Sequence, residues 1–131
     1  MKEKIHTRFA PDAIGTYSQA VKSGNTVYFS GQIPLDPANM TMVTGDMDAQ
    51  AAQVFRNLQE VARAAGGSLD LIVKLSIFLT DLTHFPIVNE VMSQFFTEPY
   101  PARSTVQVSA LPRGAQIEME AIMVLPELSQ Q

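Results

Sequence analysis

The longest periodic stretch of the chain covers residues 46–65. Met47, Ala51, Val54, Phe55, Leu58, Val61, Ala62 and Ala65 recur there at steps of three and four. That spacing puts the apolar side chains on one stripe and predicts an amphipathic helix. Asp46 or Asp48 is the expected cap, and Gly66-Gly67 offers a left-handed stop. Over residues 71–79 the period becomes two. Leu71, Val73, Leu75, Ile77 and Leu79 fall on one face and Ile72 and Phe78 on the other, the pattern of a strand covered on both faces. A second helix is expected over about residues 84–96, with Thr83 as N-cap and Pro86 in the first turn, where a missing N–H does no harm.

Shorter β-like runs flank these elements. Residues 18–21 and 26–30 are separated by Lys22-Ser23-Gly24-Asn25, a hairpin signal because Gly and Asn tolerate positive φ. Pro34 cannot donate to a ladder, so the strand ends before it, and residues 35–44 read as a loop broken by Pro37 and Asn39. Residues 103–108 and 117–125 are strand-like and joined through Leu111-Pro112-Arg113-Gly114. The order is β-β-α-β-α-β-β, with no repeat, linker or low-complexity segment, which predicts one domain over residues 1–131. The economical assembly is an α+β two-layer sandwich, a mixed sheet of about six strands with two helices on one face. The other face would carry apolar side chains without cover, and further copies of the chain would supply it. A charged fraction of only 17% points the same way.

Composition narrows the chemistry. The absence of cysteine excludes disulfides, thiolate nucleophiles and Cys-based zinc sites, and fits a cytoplasmic location. No apolar run approaches the ~20 residues of a membrane span. The opening MKEKIHTRFA has no apolar segment behind its charges and does not read as a secretory signal. Net charge is −4 and the nine basic residues are scattered, so nucleic acid is not an expected partner. His6, near an end expected to be mobile, and His84 form no His-Glu-His spacing, so no metal site is expected. No Ser-His-Asp set or phosphate-cradling glycine loop is evident. The seven methionines are scattered and read as core filler.

The polar positions that remain carry two readings each. Glu118 and Glu120 share a strand face with Ile122 and Val124, which is costly unless they are paired or exposed. Arg103 emerges behind Pro99-Tyr100-Pro101-Ala102 and shares its face with Thr105. If the two C-terminal strands are neighbours, Arg103 and Glu118 reach one pocket, where an Arg can grip a carboxylate ligand with two parallel hydrogen bonds. A structural ion pair between Arg103 and Glu118 or Glu120 is equally open. Ser30-Gly31 is either a place of close ligand approach or a plain bulge. Tyr17 is a pocket wall or an interface aromatic. Asn89 faces solvent or a loop carbonyl, and Phe85 reads as core.

Taken in order, several short segments resemble a known family. They are residues 10–20 (APDAIGTYSQA), 29–34 (FSGQIP), 85–89 (FPIVN) with Phe95-Phe96, 101–104 (PARS) and 117–121 (IEMEA). The family is RidA/YjgF, also called endoribonuclease L-PSP or translation inhibitor, and the resemblance runs from about Ala10 to Val124. It implies a chorismate-mutase-like sandwich assembled as a homotrimer, with active sites in the clefts between subunits. The implied reaction is hydrolysis of reactive enamine or imine acids of the 2-aminoacrylate type to 2-keto acids and ammonium, with no cofactor. Arg103 would clamp the substrate carboxylate and Glu118 would activate water. Ser30, Gly31 and Thr105 would orient the reactants. Tyr17, from the neighbouring subunit, would line the cleft with Phe85 and Asn89. Thr105 stands where many members carry Cys, Thr16 where Pro is common, and the loop before Pro101 is short. Two alternatives stand beside the deaminase: a non-catalytic keto-acid-binding or regulatory module, and a ribonuclease or translation inhibitor, against which the acidic charge argues.

Overall fold

The computed structural model describes residues 1–127. Six strands form one mixed sheet in the spatial order β1 (Lys2–Ile5), β2 (Ala20–Ser23), β3 (Thr26–Gln32), β8 (Ile117–Val124), β6 (Ile72–Leu79), β7 (Ala102–Gln107). β6 and β7 run parallel and every other neighbour is antiparallel. The small hairpin β4 (Leu35–Asp36) and β5 (Thr41–Met42) stands apart. Helices α1 (Met47–Ala64) and α2 (Phe85–Phe95) complete the α+β sandwich. Val54, Phe55, Leu58 and Val61 of α1 are fully buried, together with Val27, Leu75, Ile77, Leu79, Ile117, Met119 and Met123 of the sheet. Phe55 also stacks on Phe95 at 5.2 Å and meets Phe96 edge-on at 5.7 Å, joining the two helices. No helix among the described residues is long and apolar enough to cross a membrane.

Several local expectations change for identifiable reasons. The N-terminal segment is not loose, because β1 pairs with β2 along its whole length. β2 begins at Ala20 rather than Ser18, so the hairpin closes on Gly24-Asn25, with Gly24 at φ 62. Residues 35–44 contain the β4–β5 hairpin instead of a plain loop. Asp46 occupies the N-cap position of α1 but makes no side-chain cap bond, while Gly66, at φ 89, stops the helix as expected. In β6 the register slips between Ile72 and Lys74. Ile72 therefore enters the core and Val73 is left 49% exposed, the reverse of strict alternation. A 3-10 turn, Leu82–His84, capped by Asp81, precedes α2, whose N-cap position is His84 rather than Thr83. Thr83 is the donor: its N–H and hydroxyl bond the Asp81 carboxylate at 3.0 and 2.7 Å and hold that carboxyl below its usual range.

The largest departure concerns the two C-terminal strands. They are consecutive in sequence but not neighbours, because β6 lies between them. Register then decides where their side chains point. Parallel pairing sets Arg103 beside Leu75 and Thr105 beside Ile77, on the face the helices cover. Antiparallel pairing sets Glu118 beside Phe78 and Glu120 beside Ser76, on the open face. Arg103 and Glu118 thus lie on opposite faces of one chain's sheet and cannot share a pocket within it. The open face carries Tyr28, Val106 and Val124, which are 52, 45 and 42% exposed, interspersed with Ser76, Ser104 and Glu120.

Candidate functional site

The eight candidate residues fall into two groups of four. Tyr17, Ser30, Gly31 and Glu118 line one cleft, of about 540 Å³. Arg103 and Asn89 line a second, of about 360 Å³, with Phe85 packed under the guanidinium and Thr105 one step along the same strand face.

The first group is built on a bulge. Phe29 pairs with Ala121 and Gln32 with Met119, which leaves Ser30 and Gly31 together opposite Glu120. Such a bulge re-aims the backbone beside it. Glu118 lies directly against Gly31: a Cβ there would overlap the carboxylate Oε2 and stand 2.8 Å from Cδ. The glycine is therefore needed for close approach, and what approaches it is the Glu118 side chain. Burial pushes the Glu118 carboxyl above its usual range, and the nearby Glu120 adds to the effect.

The loop carrying Tyr17 is tied down at its base. Ser30 Oγ donates to the Ser18 carbonyl at 2.5 Å, and Ser30 N–H to the Gln19 carbonyl at 2.9 Å. The Gln19 side chain, only 2% exposed, accepts from Thr7 N–H at 2.7 Å and donates to the carbonyls of Thr7, Ala10 and Pro11. It fastens an irregular segment to the sheet. Sequence reading gave Gln19 no role, because partners that are backbone carbonyls of a loop leave no pattern.

The second group is a cradle for one cation. Arg103 Nη1 donates to Asn89 Oδ1 at 2.6 Å and meets Met92 Sδ at 3.5 Å, and its Cζ stands 4.8 Å from the centre of the Phe85 ring. Positions 85, 89 and 92 form one stripe of α2, at steps of four and three. Asn89 is exposed to solvent, as one of its two readings had it, and its amide oxygen accepts from Arg103 rather than reaching a loop carbonyl. Phe85 is both core and platform, since it is half-buried against the main cluster. Met92, read with the other methionines as core filler, is buried as expected and also meets the guanidinium, a contact that its spacing from Asn89 could have signalled. Among the described residues Arg103 and Glu118 take part in no salt bridge, so the structural ion pair does not form within the chain. The buried Thr105 hydroxyl has no hydrogen-bond partner among the described residues. Among the described residues no cluster of His, Cys, Asp or Glu is placed to hold a metal ion.

Comparison with known proteins follows the same lines. Protein DfrA of Myxococcus xanthus is 54% identical over 125 residues, covering 94% of this chain and 95% of that one. A 2-iminobutanoate/2-iminopropanoate deaminase of Dermatophagoides farinae is 47% identical, covering 95% and 97%. The crystal structure of RidA from an Antarctic Psychrobacter superposes with a TM-score of 0.91 at 52% identity, covering 94% of this chain and 99% of that one. Escherichia coli TdcF with bound serine superposes with a TM-score of 0.89 at 41% identity, covering 95% and 99%. Residues 7–125 match the family model described as endoribonuclease L-PSP, and the chain therefore belongs to the RidA/YjgF (endoribonuclease L-PSP) family.

Proposed function

We propose that the protein hydrolyses 2-imino acids, and the enamines that tautomerise to them, to 2-keto acids and ammonium, at sites completed between copies of the chain. One observation carries this reading: a cradled arginine and a carboxylate of raised pKa form no ion pair among the described residues, and they lie on opposite faces of one sheet. One copy then offers Arg103, Phe85, Asn89 and Thr105, and its neighbour offers Tyr17, Ser30, Gly31 and Glu118. The uncovered sheet face around Tyr28, Val106 and Val124 gives a homotrimer a surface to pack. The named activity of the Dermatophagoides relative agrees with the reaction.

The chemistry needs little beyond placement. The guanidinium takes the substrate carboxylate in two parallel hydrogen bonds, and Asn89, Met92 and Phe85 keep it from swinging away. An enamine first gains a proton at its terminal carbon to become the imine. Water then adds to the imine carbon while the Glu118 carboxylate removes a proton from it. That proton goes to nitrogen and gives the carbinolamine; the hydroxyl proton then passes by way of Glu118 to the amine, the C–N bond breaks with its electron pair on nitrogen, and ammonia leaves as the keto C=O forms and takes up a solvent proton to become ammonium. Raised basicity suits Glu118 to this task. The imine is already electrophilic, so no cofactor enters the scheme. Thr105 and the Ser30-Gly31 backbone orient the reactants, and Tyr17 lines the cleft. On this reading the trimer works in the cytoplasm.

The test is ammonium release from 2-aminoacrylate generated in situ by a pyridoxal-phosphate dehydratase. Arg103→Ala is expected to abolish the acceleration while circular dichroism stays unchanged; equal turnover by both proteins would remove the assignment. The serine bound in TdcF, a carboxylate carrying no imine, favours a second reading as a binding module. Tight keto-acid binding without turnover by the wild type would select it.

A further inference from the structure

Hydrolysis of an enamine needs a proton on carbon before it needs water, and carbon takes up a proton slowly unless a donor is held beside it. The half-site around Arg103 has no such donor. It offers a guanidinium, which keeps its proton in proteins, with a ring, an amide and the Thr105 hydroxyl. The half-site on the other copy is different. Among the described residues that line its cleft, Asp12 and Glu118 carry carboxyl groups, and hydroxyls are much weaker acids than these. The Ser30 hydroxyl is in any case bonded to the Ser18 carbonyl.

The two carboxyl groups are placed differently. Asp12 is turned outward, with its side chain 66% exposed and His6 at 3.9 Å. Glu118 is partly buried and lies against the Gly31 backbone. Burial there keeps the acid form of Glu118 to higher pH than in an exposed glutamate.

We infer that the site is also a tautomerase: the Glu118 carboxyl protonates the terminal carbon of a bound enamine, and the carboxylate so formed is the base that then takes a proton from water. The inference rests on the deaminase reading above and deepens it. The Glu118 O–H bond breaks and a C–H bond forms at C3 with the C2=C3 electron pair. The nitrogen lone pair closes to C=N, and the iminium releases an N–H proton to solvent. Hydrolysis then runs as for any imine. Glu118 finally regains a solvent proton, which offsets the one the iminium released, so no other reactant is needed.

Reach and direction both follow from the hydrolytic geometry. An acid or base works at about 2.6–3.2 Å, or through one water. C3 lies only about 1.5 Å from C2, so a carboxyl that reaches C2 through a water reaches C3 directly. Two parallel hydrogen bonds from Arg103 hold the plane of the conjugated acid. Gly31 stands behind the Glu118 carboxyl, which therefore meets that plane from one face. Proton and water arrive on the same side, and a four-carbon enamine becomes chiral at C3 when the proton is deuterium.

The test supplies that enamine in D₂O from L-threonine and a pyridoxal-phosphate dehydratase chosen because its product alone is racemic at C3. The 2-keto acid is decarboxylated with hydrogen peroxide, and the handedness of the 2-deuteropropionate is measured by NMR of a chiral ester. With wild type in excess, one configuration is expected to dominate by about tenfold or more, since a placed acid accelerates proton transfer by about 10²–10⁴. A saturated imine, made from D-alanine by a D-amino-acid oxidase and followed by semicarbazide trapping, needs no proton on carbon and reports hydrolysis alone. Accelerated loss of that imine with a racemic product from the enamine overturns the inference and leaves the deaminase reading intact. No acceleration of imine loss overturns the deaminase reading and the double role that rests on it. Asp12→Asn should retain both hydrolysis and handedness; a racemic product from this variant moves the donor to Asp12 and overturns the assignment to Glu118.

Discussion

Gly31→Ala separates catalysis from folding more cleanly than any change to a charged residue. Gly31 does not require a positive φ, so alanine suits its backbone and reduces the freedom of the unfolded chain, a gain of about 0.4–1 kcal/mol. Against this, the new methyl would overlap Glu118 Oε2 and stand 2.8 Å from Cδ and 3.1 Å from Cγ. The obstacle is the far end of a flexible side chain, so the carboxylate turns aside at a rotamer cost of about 0.5–1.5 kcal/mol. The two contributions nearly cancel, and thermal unfolding should stay within a few degrees of wild type. The carboxylate, however, must retreat by roughly an ångström, a displacement that typically costs about 10²-fold in rate. Imine hydrolysis and a melting curve on the same preparation test the reasoning. Wild-type activity in Gly31→Ala would refute the placement of Glu118 as the base, and collapse of the fold would refute the claim that only the side chain must yield.

Other perturbations have defined outcomes. Arg103→Lys keeps the charge but loses the planar fork, so KM should rise and kcat/KM should fall by about 10–100-fold. Glu118→Gln should abolish turnover and change the pH dependence of stability. In the wild type the folded chain keeps the Glu118 proton above the usual value of 4.5, so its stability falls as pH rises through the interval from 4.5 to the raised value. The variant lacks that loss and should melt higher than wild type at pH 8 but not at pH 4, as differential scanning calorimetry would show. Gln19→Leu removes the partners of Thr7, Ala10 and Pro11 and should cost about 3 kcal/mol in urea unfolding, with Tyr17 loosened.

What the sequence made legible was whatever depends on local period. The stripe of α1 and the alternation in β8 follow from side-chain geometry alone, and both elements lie where their patterns put them. Pro86 in the first turn of α2 is likewise a local rule. Quantities set by strand order were not legible. Residues 108–116 connect β7 to β8 with the look of a hairpin, yet β6 lies between them, and this insertion puts Arg103 and Glu118 on opposite faces. The slip at Val73 is also non-local, since it depends on a partner strand far along the chain, whereas a bulge at Ser30-Gly31 was one of the two readings its glycine allowed. The resemblance supplied the site residues as one set. Their division into two groups, and the contacts of Met92 and Gln19, came from the coordinates.

The division makes the central claim testable by mixing. Arg103→Ala and Glu118→Gln copies, each inactive alone, are unfolded together, refolded as an equal mixture and assayed for imine hydrolysis. If each site takes its arginine from one copy and its carboxylate from the next, about a quarter of the interfaces regain both groups and a corresponding share of wild-type activity returns. Mixed assemblies that form but stay as inactive as the separate variants would contradict a site shared between copies.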